Sequence, residues 1–359
     1  MSDLEEPTRE KRRRSHGSHT IHDVAALAGV GSSTVSRYFN APDLVSPARK
    51  QRIEKAIDEL NYVHNRMAGG LASAQGRIVA ALIPSIANSV FAETVQGLSD
   101  VLKKSGYQLL LASTNYSIAE EETALRAFIG WKPGAIVLTG SSHTASTIKL
   151  LKSLEIPVIE TGDLDPASSF TQVGFSHEEA GRDLTLHFLN QGLRRIRYVA
   201  SNNPEDFRSQ RRAHGYATTM QKAGLIPDVV ESSVTDLFDA GAQAIERIAQ
   251  ESRLGSRNSS PQAVIFTNDL MAAGAVLHAS LCRITIPTAC AVAGFGDFPV
   301  SARLSPSITT IKPNRYEIGR KAAQIILDSL SNEEPDVRKQ GSYVVPYQLV
   351  LRDSTKVRK

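Results

Sequence analysis

From residue 77 onward, short apolar segments alternate with longer amphipathic ones, and this alternation restricts the possible fold more than any other feature. Seven apolar runs have the length of a strand: 78–83, 107–112, 135–139, 156–160, 195–200, 263–267 and 290–295. Segments with helical periodicity lie between them, including 91–104, 119–130, 178–191, 209–223 and 316–330. Strands that alternate with helices usually form parallel sheets covered by helices. We therefore predict a doubly wound α/β fold for most of the chain.

The length and composition agree with a globular protein of more than one folded unit. A chain of 359 residues exceeds the usual span of a single core. Hydrophobic residues make up 41% and charged residues 22%, which is close to the globular average and excludes a fibrous repeat. No apolar run approaches the roughly 20 residues that span a bilayer. The N-terminal residues also lack the apolar segment of a secretory signal, so we expect a cytoplasmic protein.

Residues 20–28 have the pattern of a short helix rather than a strand. Thr20 and Asp23 stand at the spacing of a capping box, which predicts a first helix over residues 21–28. Its apolar face is expected to contain Val24, Leu27 and Ala28.

The residues that follow predict a tight turn and two further helices. Ala25 is small enough for close helix approach, Gly29 can adopt the positive φ of a turn, and Val35 can anchor a second helix. Ser46 followed by Pro47 is a typical start for a third helix. This spacing indicates a helix-turn-helix unit, with an ordinary helical hairpin as the alternative.

The same region carries an excess of positive charge. Between Arg9 and Arg52, nine basic residues stand against three acidic ones. A basic run is by itself more often a solvated tail than a nucleic-acid contact. In a helix-turn-helix unit, however, the second helix enters the major groove of DNA. Its exposed residues are therefore candidates for base and phosphate contacts: Ser32, Ser33, Ser36 and Arg37.

Three segments together, 23–40, 45–46 and 59–65, resemble the lactose/galactose repressor family without gaps. The resemblance implies DNA-facing positions at Thr20, Ile21, Ser32, Ser33, Ser36, Arg37, Asn40, Ser46, Tyr62 and Asn65. It also implies a hinge helix, whose Leu71 inserts into the minor groove at the centre of the operator. His64 is a departure, because the family usually has proline there.

The resemblance extends to Arg352 and implies a definite domain organisation. We expect a basic disordered tail at 1–18, a helix-turn-helix domain at 19–64, a hinge helix and linker at 65–76, and a ligand-binding and dimerisation domain at 77–359. The last domain should have two lobes of the periplasmic-binding-protein type. Lobe 1 is expected at about 77–176 and 309–340, and lobe 2 at about 177–308 and 341–353, with crossings near Ser176, Ile308 and Gln340.

Ligands of such folds bind at the carboxyl ends of the strands, here between the lobes. The resemblance implies ligand contacts at Phe91, Arg212 and Asn268. Core packing remains an alternative for Phe91, and a strand-end cap remains one for Asn268. Many family members have an aspartate that holds sugar hydroxyls where this chain has Gly296. Loss of a carboxylate beside a retained arginine favours an anionic ligand.

The segments 90–100, 135–140, 173–176 and 294–297 are similar to those of the gluconate-operon repressors of the family. This similarity implies gluconate or a close aldonate as inducer. Arg212 would bind the carboxylate, and Arg208 is either a second ligand residue or a surface residue. We expect a repressor that acts as a homodimer on a near-palindromic operator. A neutral sugar, or a corepressor that strengthens DNA binding, remains an alternative within the family.

Two other classes of protein share parts of this pattern. A sugar-binding protein without a regulatory role would have the two lobes but no headpiece. An enzyme is disfavoured because the sequence has no nucleophile elbow, and Gly294-Phe-Gly296 lacks the rest of a dinucleotide fingerprint. The two cysteines do not form a metal-binding pattern. We therefore expect no catalytic residues, no cofactor and no metal.

Overall fold

The computed structural model describes residues 19–63, 76–86, 89–254, 260–331 and 341–356. The chain divides into two compact units after Gly76. The predicted tail at 1–18 and most of the predicted hinge segment lie outside the described residues. In the part of the chain that is described, no helix has the length and apolar character needed to cross a membrane.

The first unit contains three helices, α1 (Ile21–Ala28), α2 (Ser32–Asn40) and α3 (Pro47–Leu60). The Thr20 side chain and Asp23 form the predicted capping box, and Gly29 has a left-handed φ of 61° at the end of α1. The three helices enclose a small core of Val24, Ala25, Ala28, Val35, Val45, Ile53 and Ala56. Leu27, which we expected in this core, is 47% exposed. Ala25 takes the buried place on α1 instead, because its small side chain lets the helices approach.

The second unit has two six-stranded sheets. The first has the strand order β11-β5-β4-β3-β1-β2. Its strands are β1 (Gly76–Ile83), β2 (Gln108–Ser113), β3 (Pro133–Thr139), β4 (Val158–Thr161), β5 (Thr171–Gly174) and β11 (Ser342–Val344). The helices of this lobe are α4 (Ala92–Lys104), α5 (Ile118–Ile129), α6 (Ala145–Lys152) and α11 (Arg315–Ser331).

The second sheet has the order β12-β10-β9-β8-β6-β7. Its strands are β6 (Ile196–Ala200), β7 (Asp228–Glu231), β8 (Ala263–Phe266), β9 (Ala291–Phe295), β10 (Thr309–Lys312) and β12 (Gln348–Val350). The helices of this lobe are α7 (His177–Asn190), α8 (Phe207–Lys222), α9 (Leu237–Leu254) and α10 (Asp269–Ala279). Strand β12 is antiparallel to β10, whereas β10, β9, β8, β6 and β7 are paired in parallel. The two-sheet α/β architecture is the one predicted.

Two of the three expected crossings between the lobes lie elsewhere. The first crossing lies between β5 and α7 and therefore includes Ser176, as expected. Strand β10 belongs to the second sheet, so the second crossing follows Lys312 rather than Ile308. Strand β11 belongs to the first sheet and β12 to the second, so the third crossing lies within 345–347 rather than near Gln340. Short strands of similar composition carry no local signal of the sheet they join.

Helices α7 and α8 pack closely at two glycines. A Cβ added to Gly181 would lie 2.1 Å from the carbonyl oxygen of Arg212, and one added to Gly215 would lie 2.0 Å from that of Glu178. No side chain fits at either position, so both glycines are needed for the approach of the two helix backbones. This contact sets the position of Arg212 relative to α7 and to the first crossing.

Candidate DNA-binding surface and ligand cavity

Helix α2 presents the residue types that contact DNA in helix-turn-helix proteins. Ser33 and Arg37 are exposed and one helical turn apart, so they share a face. Ser32 and Ser36 are half-buried on a neighbouring face. Asn40 is exposed, and its Nδ2 donates hydrogen bonds to the carbonyl oxygen of Ser36 at 3.0 Å and to its Oγ at 3.3 Å. The helix therefore combines one guanidinium with short polar groups.

Three of the other expected DNA-facing residues, Thr20, Ile21 and Tyr62, also contact other parts of the headpiece. Thr20 caps α1, and Ile21 packs against the headpiece core. Ser46 is the exposed N-cap residue of α3 but makes no capping hydrogen bond with its side chain. The ring of Tyr62 lies 6.2 Å from that of Phe39. Asn65 and Leu71 lie outside the described residues.

The second unit has a cavity between its lobes, at the carboxyl ends of strands from both sheets. Ile83, Thr139 and Thr161 end three strands of the first lobe, and Phe295 ends a strand of the second. The polar and aromatic lining residues also include Phe91, Tyr116, His177, Asp206, Arg208, Arg212, Asn268, Phe298 and Arg315. Four of the five residues expected at the ligand, namely Phe91, Arg208, Arg212 and Asn268, therefore lie around one cavity, and their ligand contacts stay predictions.

Arg212 is the most constrained of these residues. It is 6% exposed, and its guanidinium carbon lies 4.1 Å from the centre of the Phe295 ring. Its Nη2 donates to the carbonyl oxygen of Thr267 at 3.0 Å, and its Nη1 lies 2.9 Å from Nδ1 of His177. Within the described residues, the buried Nε of Arg212 has no hydrogen-bond partner. A buried, unsatisfied charged donor is costly, and an anionic ligand would remove that cost.

His177 was missed by the sequence analysis. Its Nε2 lies 3.0 Å from the carbonyl oxygen of Gly162, which can only accept, so Nε2 carries the proton and Nδ1 is free to accept from Arg212. Burial, followed by the positive charges of Arg212 and Arg208, lowers the pKa of His177 well below its usual value. The imidazole is therefore neutral at physiological pH. A histidine at the start of a helix gives no signal of this role in the sequence.

Arg208 is not a free surface residue. Its guanidinium carbon lies 5.3 Å from the centre of the Phe91 ring and 6.0 Å from that of Tyr116. Phe91 is buried and also lines the cavity, so its packing and ligand-contact alternatives do not exclude each other. Arg208 belongs to α8 of the second lobe, and its guanidinium packs against these two rings of the first lobe.

Asn268 both caps a helix at the end of a strand and lines the cavity, so its two alternatives do not exclude each other either. Its Oδ1 accepts a hydrogen bond of 3.0 Å from the backbone N–H of Met271 and so caps α10, while the residue also lines the cavity.

The next residue, Asp269, is buried and accepts hydrogen bonds from Phe298 N, Ser301 Oγ and Thr310 Oγ1. Burial raises the pKa of Asp269 to about 6. Asp269 thus fixes the loop that brings Phe298 to the cavity.

Gly296 itself is not among the residues that line the cavity. Its φ is 129°, and an added Cβ would lie 2.6 Å from Phe298 Cε2 and 3.2 Å from Arg315 Nη2. Its carbonyl oxygen accepts a hydrogen bond of 2.5 Å from Arg315. Phe298 and Arg315, which do line the cavity, occupy the space that a side chain at 296 would need, and the effector contact expected at Gly296 stays a prediction. Arg315 was missed because it lies in a different segment of the sequence.

The arrangement offers binding groups rather than reaction chemistry. Its charged groups are mainly guanidiniums, which bind carboxylates and phosphates but do not transfer protons at neutral pH. Over the described parts of the chain, no group of three or more histidine, cysteine, aspartate or glutamate side chains could hold a metal ion.

Comparison with known proteins relates both units to bacterial regulators. A family model described as "Bacterial regulatory proteins, lacI family" matches residues 20–65, and a model of a periplasmic binding protein-like domain matches residues 185–355. The HTH-type transcriptional regulator GntR of Pseudomonas aeruginosa is 33% identical over 96% of this chain and 98% of its own length. The HTH-type transcriptional regulator IdnR of Escherichia coli is 32% identical over 88% of this chain and 93% of its own length.

A solved structure agrees with this relationship. The transcriptional regulator of the lacI family from Silicibacter pomeroyi has a TM-score of 0.85 and 31% identity, over 95% of this chain and 100% of that chain. The chain therefore belongs to the lacI family of bacterial regulatory proteins and is a DNA-binding transcriptional regulator.

Proposed function

We propose that this regulator is a cytoplasmic repressor of a sugar-acid catabolic operon and that an inducer of the gluconate type releases it from its operator. The unpartnered Nε of Arg212 carries this proposal. The nitrogen is buried, and it belongs to a side chain that lines the cavity and is held on one face by Phe295. A carboxylate bound beside this side chain would supply the missing acceptor and a counter-charge.

The rest of the cavity suits a polyhydroxylated chain. Asn268, Asp206, Thr139 and Thr161 supply polar groups, and Phe91 supplies an aromatic wall of the kind that sugars pack against. A hydroxyl oxygen of a neutral sugar could also accept from Arg212 Nε, but it would leave the guanidinium without a counter-charge. A sugar acid supplies both the acceptor and the negative charge, which favours gluconate or a close aldonate over a neutral ligand.

The DNA-binding part of the proposal rests on the exposed face of α2. Two headpieces of a homodimer would place Ser33 and Arg37 in the major grooves of two half-sites of a near-palindromic operator. Leu71 would act in the minor groove between the half-sites. Sedimentation of the full-length protein tests the oligomeric state, and a monomer at micromolar concentration would contradict this arrangement.

Isothermal titration calorimetry of the full-length protein with gluconate, glucose and sorbitol tests the ligand class. Binding of gluconate alone is expected, with a loss of at least tenfold in Arg212→Gln, because a charged hydrogen bond contributes about 1.5–3 kcal/mol. Arg126→Gln is the matched control, since Arg126 is an exposed residue of α5 that pairs with Glu122. Equal gluconate affinity in wild type and Arg212→Gln would refute the assignment.

The direction of control needs an operator, which selection from a pool of random duplexes with the full-length protein can supply. Fluorescence anisotropy with the selected duplex should then show weaker DNA binding in gluconate, by about 5- to 150-fold for a coupling of about 1–3 kcal/mol. Tighter DNA binding would identify gluconate as a corepressor. Equal DNA affinity with and without gluconate would show that gluconate is not the effector.

A further inference from the structure

The side chains that line the cavity carry a surplus of two positive charges. Arg208, Arg212 and Arg315 contribute three guanidinium groups, and Asp206 contributes the carboxylate. His177 adds no charge, because burial and then the neighbouring guanidiniums lower its pKa and keep it neutral. A ligand with a single carboxylate would therefore balance half of the surplus.

The two most buried of these guanidiniums belong to different lobes. Arg212 is on α8 of the second lobe and is 6% exposed, and Arg315 begins α11 of the first lobe and is 8% exposed. Each is bound mainly to neutral groups. Arg212 contacts Thr267 and His177, and Arg315 donates to the carbonyl oxygen of Gly296.

The carboxylates near Arg315 do not neutralise it at close range. Glu93 Oε2 lies 3.8 Å from Arg315 Nη1, but the Glu93 side chain is 60% exposed and screened by water. Asp269 accepts hydrogen bonds from Phe298, Ser301 and Thr310. Asp297 is bound to Arg352 and Lys312. Burial therefore lowers the pKa of Arg315, because the negative charges of Glu93, Asp269 and Asp297 raise it by less than burial lowers it.

Burial of a charge without a close partner destabilises a protein, and the cost is recovered when a partner binds. Arg212 and Arg315 both have this property, and they face one cavity from opposite lobes. A ligand with anionic groups at two positions would compensate both and would contact both lobes at once. Such a ligand would also favour the closed arrangement of the lobes more strongly than a monoanion does.

We propose that the natural effector is a sugar acid with two anionic groups, one bound by Arg212 and the other by Arg315, and that Gly296 is required because any side chain there would clash with Phe298 and crowd Arg315. This inference rests on the proposed sugar-acid function and specifies the charge of the ligand. The second group is a carboxylate or a phosphate, which the same guanidinium would bind.

Ligands with a shared carbon skeleton test the charge directly in the wild-type protein. Gluconate, glucarate and 6-phosphogluconate differ at carbon 6, which carries a hydroxyl, a carboxylate or a phosphate. Calorimetry is expected to show that glucarate or 6-phosphogluconate, each with two anionic groups, binds roughly tenfold to a hundredfold more tightly than gluconate. The tighter of the two identifies the second group. If gluconate binds at least as tightly as both, the inference is wrong while the sugar-acid function stands, and if none of the three binds, the proposed function itself fails.

Arg315→Gln tests the residue, with Arg320→Gln on the same helix as the matched control. Arg320 is exposed and pairs with Glu317. The affinity of the ligand with two anionic groups, divided by that of gluconate, should fall towards one in Arg315→Gln and keep its wild-type value in Arg320→Gln. Arg315→Lys keeps the charge and should retain part of the preference, a result that a purely structural role would not produce. An unchanged ratio of the two affinities in Arg315→Gln would overturn the assignment.

Discussion

Nη1 of Arg212 lies 2.9 Å from Nδ1 of His177, whose other ring nitrogen is bound to the carbonyl oxygen of Gly162 in the first lobe. His177 is the first residue of α7, directly after the first crossing between the lobes. The imidazole therefore joins the proposed anion-binding residue of one lobe to the backbone of the other. A change in the separation of the lobes would alter the bond to Gly162, whereas the bond to Arg212 lies within the second lobe.

His177→Phe is expected to weaken the binding of gluconate and to lower stability. The variant removes the acceptor for Arg212 Nη1 and leaves a buried charged donor unsatisfied, at a cost of about 1–3 kcal/mol. His177→Gln can accept from Arg212 and donate to Gly162, so it should restore part of the affinity. Calorimetry and urea unfolding measure the two effects, and wild-type affinity in His177→Phe would show that the contact is dispensable.

Gly181→Ala should destabilise the ligand-binding unit by about 1–3 kcal/mol and weaken gluconate binding, because a Cβ there would lie 2.1 Å from the carbonyl oxygen of Arg212. The helix that carries Arg212 must move to relieve this contact. Thermal unfolding and calorimetry test the prediction. Gly130→Ala is the control, since its added Cβ would lie 3.2 Å from its nearest neighbour, and an equal effect of both substitutions would contradict the explanation.

His143 should make stability depend on pH in the alkaline range. Its side chain is 1% exposed, with Nδ1 2.6 Å from Glu121 and Nε2 3.3 Å from Glu160. Burial opposes the charged form, but the hydrogen bond of Nδ1 to Glu121 and the negative charges of both glutamates outweigh it and raise the pKa of His143 to about 9.

Because the pKa is raised in the folded state, this contribution is complete below the unfolded pKa of about 6.5 and is lost as the pH rises through about 9. We expect the free energy of unfolding to fall by roughly 1–3 kcal/mol between pH 6 and pH 10 from this group. Urea unfolding across that range measures the change, with His143→Gln as the comparison. An identical pH profile in that variant would show that other groups are responsible.

Arg37→Ala distinguishes base recognition from phosphate contact at the exposed face of α2. If Arg37 contacts guanine, the variant should lose about 1–3 kcal/mol of affinity for the selected duplex and tolerate substitution of one base pair per half-site. Anisotropy at several salt concentrations measures both effects. A uniform loss for all sequences, with a reduced salt dependence, would assign Arg37 to a phosphate instead.

Local patterns in the sequence predicted much of the secondary structure that carries the site. The capping box at Thr20, the positive φ of Gly29 and the helix that contains Arg212 are all present. Helix and strand periodicity depends on residues within one or two turns, so it can be read without knowledge of the fold. The family resemblance then added Phe91, Arg208 and Asn268, which the structure places around the same cavity as Arg212.

The sequence by itself determined the two units, the alternation of strands and helices, and the residue types available for binding. Only the tertiary structure decided that β10 joins the second sheet and β11 the first, and that His177 and Arg315 meet the cavity. Those results depend on hydrogen bonds and packing between segments far apart in the chain. Gly296 shows this difference clearly. The sequence reveals that position 296 has no side chain, but only the tertiary structure shows that Arg315 of the other lobe lies beside it.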